Sequence, residues 1–113
     1  MTNDDEIVST LGDEYSRKIL IILTKNELNA QEISIKLEIP TSTTYRKIKS
    51  LENLGLIRKT KVVRTLEGLD ESYYRSLVSG IEIKFKDGEI SCKLEKFTMD
   101  EKIQRLWEKF SEK

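Results

Sequence analysis

Pro40 and Gly55 constrain the fold more than any other residues of the sequence. The residue before a proline is pushed out of the helical region, so a helix that precedes Pro40 must stop there. Thr41 or Ser42 is suited to cap a following helix, and glycine is the usual residue that ends one. The sequence therefore predicts two helices joined by a tight turn, the second ending at Leu54.

Two helices are predicted upstream of this turn. Apolar residues recur at helical spacing from 13 to 25, and residues 19 to 23 are apolar nearly all round. Such a helix must be covered on more than one side, by its own domain and by something else. Asn29, followed three residues later by Glu32, has the pattern of a capping box and predicts a short helix whose narrow apolar stripe consists of Ala30, Ile33 and Leu37.

Charge is segregated along the chain although its formal net charge is zero. Residues 1 to 16 carry five acids and no cation, whereas residues 39 to 64 carry seven cations and one acid, Glu52. A basic face is the electrostatic footprint of a protein that binds a polyanion. On charge alone, a merely solvated face is an equally good interpretation.

Helical spacing divides the segment from 42 to 54 into two faces. Thr44, Ile48 and Leu51 recur at i, i+4 and i+7 and form the inward face. Tyr45 and Lys47 lie on the flanks, and the outward face holds hydroxyls, amides and cations: Ser42, Thr43, Arg46, Lys49, Ser50 and Asn53. A solvated helix would normally place Glu four residues from Lys, so the absence of acids on this face favours a polyanion partner.

Two pairs of strands follow. Residues 56 to 66 and 72 to 79 predict antiparallel strands, the second of which could instead be partly helical. Asp87-Gly88 predicts a two-residue type I′ turn in a hairpin from 81 to 95. The resulting register pairs Lys86 with Glu89 and continues to Ile81 with Leu94. It gathers six residues on one face: Ile81, Ile83, Phe85, Ile90, Cys92 and Leu94.

Several functional classes are disfavoured by composition. One cysteine and no histidine exclude an internal disulfide and an ordinary metal-ligand set, and Cys92 is predicted to fill the core rather than to react. No catalytic or nucleotide-binding motif supports an enzyme, and no cofactor site is evident. The longest apolar run, from 19 to 23, is far too short to span a membrane, and the acidic start is unlike a secretory signal. We expect a cytoplasmic protein without membrane or metal partners.

The run ISIKLEIPTSTTYRKIKSLENLGLIRK resembles the winged helix-turn-helix of ArsR-type and TrmB-type transcriptional regulators, particularly archaeal ones. In that family a Ser-Thr pair opens the recognition helix and a Leu-x-x-x-Gly-Leu-Ile element leads into the wing. The resemblance covers roughly residues 12 to 66. It implies an α+β fold, a three-helix bundle with a β-wing, to which this chain of 1 to 113 adds a hairpin and a C-terminal helix in a single domain.

The resemblance implies a regulator that binds specific double-stranded DNA, with the helix from 42 to 54 in the major groove and the wing on the phosphates. A winged-helix module that binds protein is the alternative. Carried over by position, the DNA contacts fall on Ser42, Thr43, Tyr45, Arg46, Lys49, Arg58, Lys59, Lys61 and Arg64. Tyr45 could instead be a wall of the domain core.

Two departures from the family pattern matter. The turn between the helices often carries glycine, and here it reads Leu37-Glu38-Ile39, so either Glu38 adopts a strained conformation or the turn differs. ArsR-type metal sensors use clustered Cys or His ligands, which this chain lacks, so the metal-sensing function is not expected.

The segment from 98 to 112 predicts an amphipathic helix capped by Thr98. Its apolar seam consists of Met99, Ile103, Leu106 and Phe110, with Trp107 beside it. The helix could fold back onto its own sheet or pack against a second copy. We favour a homodimer, with the hairpin or the helix from 13 to 25 sharing the interface, because a lone recognition helix and wing bury little DNA surface.

Overall fold

The computed structural model describes residues 3 to 111. The helices, in chain order, are α1 (Asn3–Leu11), α2 (Glu14–Lys25), α3 (Ala30–Leu37), α4 (Thr41–Asn53) and α5 (Met99–Ser111). The strands are β1 (Leu28–Asn29), β2 (Ile57–Arg64), β3 (Asp70–Ser76), β4 (Val78–Lys86) and β5 (Glu89–Lys96). This α+β arrangement confirms the predicted winged helix-turn-helix with an added hairpin and a terminal helix.

Helix α1 is one of two elements that the sequence reasoning missed, the other being the two-residue strand β1. Its Ile7 is buried and its Val8 and Leu11 are half-buried, a helical spacing that could have indicated it. The helix packs against α2 and β5, where the Cys92 N–H donates to the Asp4 carboxylate at 3.3 Å. Helix α1 therefore provides part of the cover that the apolar α2 requires.

The core is formed by α2, α3, α4 and the ends of the strands beside them. Ile19 and Leu23 of α2 are fully buried there together with Leu51 of α4 and Ile57 of β2. Ile21 of α2 is 64% exposed, so the expected cover extends over most of the apolar run but not all of it.

Helix α3 and its exit follow the sequence pattern closely. The Glu32 N–H donates to the Asn29 side chain at 2.8 Å and the Asn29 N–H donates to the Glu32 carboxylate at 3.0 Å, which confirms the capping box. Glu38 ends the helix in the left-handed region, at φ 54° and ψ 47°, and confirms the strained form of the turn. A non-glycine residue in this region costs about 1 kcal/mol.

The predicted cap of α4 by Thr41 or Ser42 is wrong. Pro40 occupies the cap position and the helix begins at Thr41, without a side-chain cap in the described chain. The Pro40 carbonyl instead accepts the Thr44 N–H at 2.9 Å and the Thr44 hydroxyl at 3.1 Å. Proline suits this boundary because its own φ is fixed near the value that leads into a helix.

The wing is formed by β2 and β3, which belong to an antiparallel sheet of order β1-β3-β2. Both predicted wing strands are present with shifted bounds, and β3 is extended rather than helical. The register between them shifts between Lys59 and Lys61, where a bulge interrupts the alternation of faces.

Strands β4 and β5 form the predicted hairpin with all six expected cross-strand pairs. Asp87 and Gly88 both have positive φ, 55° and 76°, as a type I′ turn requires. Ile81 and Leu94 pack against the core, but Phe85 near the tip is 73% exposed. The apolar face of the hairpin is thus buried at its base only.

Neither Cys92 nor the apolar seam of α5 lies in the buried core. Cys92 is half-buried between β5 and α1 rather than inside the core, and burial followed by the charges of Asp4 and Asp5 raises the pKa of its thiol. The Thr98–Glu101 capping box opens α5 as expected. The seam residues are exposed in the single chain, between 45% and 69%: Met99, Ile103, Leu106, Trp107 and Phe110.

Candidate nucleic-acid interface

Helix α4 presents its polar face to solvent. Its inward residues, Thr44, Ile48 and Leu51, are buried as predicted and fix the rotation of the helix on the core. On the opposite face, Ser42, Arg46 and Lys49 are exposed and Thr43 is half-buried. Tyr45 is 53% exposed, so it is not a wall of the buried core.

Lys47, on the flank of α4, is engaged inside the protein. Its ammonium lies 3.2 Å from the Asp13 carboxylate, which also caps α2 through the Ser16 N–H and hydroxyl. These interactions, the Ser16 N–H foremost, lower the pKa of Asp13 against a smaller opposing effect of burial. The ion pair ties α4 to α2 and leaves Arg46 and Lys49 as the cations of the outward face.

The first turn of α4 offers hydrogen-bond donors. In the part of the chain that the structure describes, no side chain caps these N–H groups. The N–H groups of a helix N-terminus, together with its dipole, are suited to bind a phosphate. Ser42 and Thr43 add hydroxyls at the same place.

Two of the four predicted wing cations have acidic partners within the wing region. The Lys61 ammonium lies 3.5 Å from Glu27 and 4.7 Å from the centre of the Tyr73 ring. The Arg64 guanidinium lies 3.6 Å from Asp70 and donates to the Gly68 carbonyl at 3.0 Å, within the wing turn. These partners reduce the charge that either cation presents to a polyanion.

Arg58 and Lys59 lie on opposite faces of the wing. Arg58 is directly opposite Arg75 across the β2–β3 ladder, and Lys59 is opposite Tyr74, which packs against the core. Because adjacent residues of a strand alternate in direction, these two cations do not share a surface. Among the described residues, no carboxylate lies within 4.0 Å of the Lys59 ammonium.

The tip of the wing is not cationic. Residues 65 to 69 contain Glu67 and no Lys or Arg, and Leu66 is fully exposed there. The cations of the wing therefore lie on its strands rather than in the loop.

The sequence reasoning missed Arg75 and Arg105. Arg75 lies on β3, and Arg105 reaches from α5 to donate to the Ser76 carbonyl at 3.2 Å. Neither the position of Arg75 opposite Arg58, which lies beyond the bulge after Lys59, nor the approach of α5 could have been found from the sequence.

Other kinds of site are not evident in the described residues. Residues 3 to 111 bring together no group of three Cys, Asp or Glu side chains that could hold a metal ion. No described helix combines the length and apolar composition needed to cross a bilayer.

The arrangement of the helices and wing matches known regulators. The family model described as "Sugar-specific transcriptional regulator TrmB" matches residues 13 to 79, from the cap of α2 to the start of β4. The chain belongs to the TrmB family. Residues 13 to 79 therefore form the winged helix-turn-helix of this family of transcriptional regulators.

A curated relative and two solved structures are also similar to this chain. An uncharacterised HTH-type transcriptional regulator of Pyrococcus furiosus is 35% identical over 75 residues, which cover 66% of this chain and 49% of the relative. The chain thus spans about half the length of that relative. Two structures of HlyU from Vibrio cholerae N16961, one described as reduced, share the fold at TM-scores of 0.52 and 0.51 with 24% identity. They cover 62% of this chain and 67% and 70% of theirs.

The TrmB match ends at residue 79, at the start of β4, so most of the hairpin and all of α5 lie outside it. The predicted contacts of α4 and β2 lie inside the matched range, and the predicted dimer seam lies outside it. Both residue sets remain predictions at the level of individual contacts.

Proposed function

We propose that this regulator binds specific double-stranded DNA as a homodimer, with α4 in the major groove. The observation that carries the proposal is the exposed face of α4, which bears Arg46 and Lys49 and no acid. Glu52, the acid nearest to these cations along the helix, is half-buried toward the inward side. Arginine is the side chain that most often reads a guanine edge in the major groove, and lysine beside it suits a phosphate.

The wing supplies a second, sequence-independent contact. Lys59 is exposed and has no described acidic partner, so we expect it to meet the phosphate backbone. Lys61 and Arg64 share their charge with Glu27 and Asp70 and are expected to contribute less. Strand β2, rather than the apolar tip, is therefore the proposed backbone contact of the wing.

A second copy of this chain is the proposed cover for the exposed seam of α5. Met99, Ile103 and Leu106 expose apolar surface at helical spacing, and Phe85 adds an exposed ring on the hairpin. A row of exposed apolar residues along one face of a helix marks an interaction site. A twofold arrangement would also present two copies of α4 to successive major grooves about 34 Å apart.

A binding assay on two classes of duplex tests the proposal. Mobility shifts are measured over a series of salt concentrations on random duplexes and on duplexes enriched from genomic fragments. We expect the enriched site to bind at least about 1,000-fold more tightly than random DNA, with a dimer as the bound species. Equal affinity for both classes would contradict specific binding, and no DNA binding at low salt would favour the protein-interaction module.

A further inference from the structure

A groove separates α5 from the face of the wing that carries Arg58 and Arg75. It consists of two adjoining cavities of about 630 and 750 Å³, which share Glu27, Arg75 and Arg105 in their walls. Five cations line the smaller cavity: Arg58, Arg75, Lys96, Lys102 and Arg105. Glu27 is the only acid that the described residues place in that wall. We call this cavity pair the basic groove.

Three guanidinium groups face one another in the basic groove. Arg58 and Arg75 are directly opposite across β2 and β3, a placement in which like charges destabilise a sheet. Arg105 is held beside them by the Ser76 carbonyl and by the Phe97 ring, 4.1 Å from its guanidinium carbon. Burial, then the charges of Arg75 and Arg58, lower the pKa of Arg105, while Glu108 and Glu101 act in the opposite direction.

Among the described residues, the cations that line the groove outnumber its two acids, Glu27 and Glu108. Glu27 lies 3.5 Å from Lys61 and is therefore shared with a cation outside the guanidinium cluster. The Nε atom of Arg75 is buried, and within residues 3 to 111 it meets no hydrogen-bond acceptor. A buried N–H donor on a charged group costs free energy when it lacks an acceptor, so a negatively charged acceptor would stabilise the cluster.

We propose that the basic groove binds a small multivalent oxyanion, one that carries phosphate or carboxylate groups, between Arg58, Arg75 and Arg105. The planar guanidinium fork matches such groups in two-point geometry. A volume of about 630 Å³ is typical of small-molecule sites and is ample for such an anion. Lys96 and Lys102 at the wall extend the positive field toward a second anionic group.

Binding of the anion should weaken the binding of DNA, an extension that rests on the proposed function. Arg58 belongs to β2, the strand proposed to meet phosphates, and Leu106 of the dimer seam lines the same groove. An anion that neutralises this cluster reduces the positive charge near DNA. It also changes the surface of the wing against which α5 packs. Coupling between two ligands is reciprocal, so bound DNA should lower the affinity for the anion by the same factor.

The single tryptophan offers a direct measurement on the full chain without DNA. Trp107 lines the second cavity, so occupancy of the groove should change its fluorescence. Pyrophosphate and citrate are titrated separately at constant ionic strength, which is maintained with sodium chloride. We expect a saturable change and a rise in melting temperature with at least one of them; the more effective of the two distinguishes phosphate from carboxylate chemistry.

Three variants test the residue assignment. Arg75→Met should lower the affinity for the anion at least tenfold, because it removes the guanidinium with the unsatisfied N–H. Glu27→Gln should tighten anion binding several-fold because it removes the acid that lines both cavities of the groove. Lys84→Met, which removes one exposed cation from the hairpin, is the matched control and should leave the affinity unchanged.

The proposal fails if neither anion saturates, or if Arg75→Met binds as tightly as the unmodified chain. Circular dichroism establishes that the variant folds; if it does not, Arg75→Lys keeps the charge, loses the fork and should weaken binding about threefold. A chain that binds no anion but loses affinity for all duplexes on Arg75→Met would make the groove a DNA contact and overturn the proposal. Saturable anion binding in a chain that binds no DNA would instead refute the proposed function alone.

Discussion

The region from α2 to α4 buries most of its apolar side chains, whereas the region from β4 to α5 leaves many of them exposed. In the first, Ile19, Leu23 and Leu51 are fully buried, because three helices and the wing sheet enclose one another. In the second, Phe85 and Leu106 remain 73% and 56% exposed. The hairpin and α5 each have one apolar face, and the described chain covers that of the hairpin at its base and leaves the seam of α5 exposed.

This difference in burial suggests different roles for the two regions. The packing of Thr44, Ile48 and Leu51 fixes α4 on the core, so a single chain already holds the recognition helix in a defined orientation. The hairpin and α5 contribute little to that core beyond Val78 at the start of β4 and the partly buried Ile81 and Leu94. The second region is therefore suited to set the distance between two recognition helices, the role that we propose for it.

Replacing Leu106 by Asp should have the largest effect, because it places a charge in the proposed seam between two copies. We expect sedimentation to change from dimer to monomer and operator affinity to fall at least about 100-fold, because a monomer contacts only one half-site. Thermal unfolding of the helical core should be nearly unchanged. Gln104→Asp, on the polar side of α5, is the matched control, and a wild-type chain that is monomeric yet binds a half-site tightly would refute the role of the seam.

Replacing Arg46 by Ala tests the first region. If Arg46 reads a base, specific binding should weaken by about 1 to 3 kcal/mol, with relaxed preference at one base pair. Lys47→Ala is the matched control, since its ammonium pairs with Asp13 and its loss should change stability by less than about 1 kcal/mol. The DNA affinities of both variants are measured by fluorescence anisotropy on the operator and on single-base variants of it. Equal losses of affinity for the two substitutions would show that Arg46 does not read a base.

Replacing Lys59 by Ala should weaken binding to every duplex alike. The loss of one phosphate contact lowers the slope of log affinity against log salt by about 1. Lys84→Ala on the hairpin should leave the slope unchanged, because that strand lies in the other region. A loss that depends on DNA sequence would show that Lys59 reads bases instead.

Replacing Glu38 by Gly should give the smallest change and in the favourable direction. Glycine tolerates the left-handed φ of 54° at this position without steric cost, so relief of strain of about 1 kcal/mol competes with the greater freedom of glycine in the unfolded chain. We expect a net gain of a few tenths of a kcal/mol in chemical denaturation. A destabilised variant would mean that the Glu38 side chain contributes more than its strain costs.

The sequence by itself determined the elements that depend on neighbours along the chain. The Asn29–Glu32 capping box, the inward face of α4 and the register of the hairpin at Asp87-Gly88 were all predictable. Each rests on hydrogen bonds, turn geometry or periodicity within a few residues, which composition and spacing specify directly.

Tertiary structure alone decided which charges and apolar faces remain available. Asp4 meets Cys92 and Arg105 meets Ser76 across long stretches of chain, and Lys61 is paired with Glu27 rather than left for a polyanion. Such contacts depend on how whole elements pack, and the bulge after Lys59 changes which residues share a face. The alternation of residues along a strand therefore could not predict which face of the wing each cation occupies. The guanidinium cluster forms only because α5 packs beside the wing.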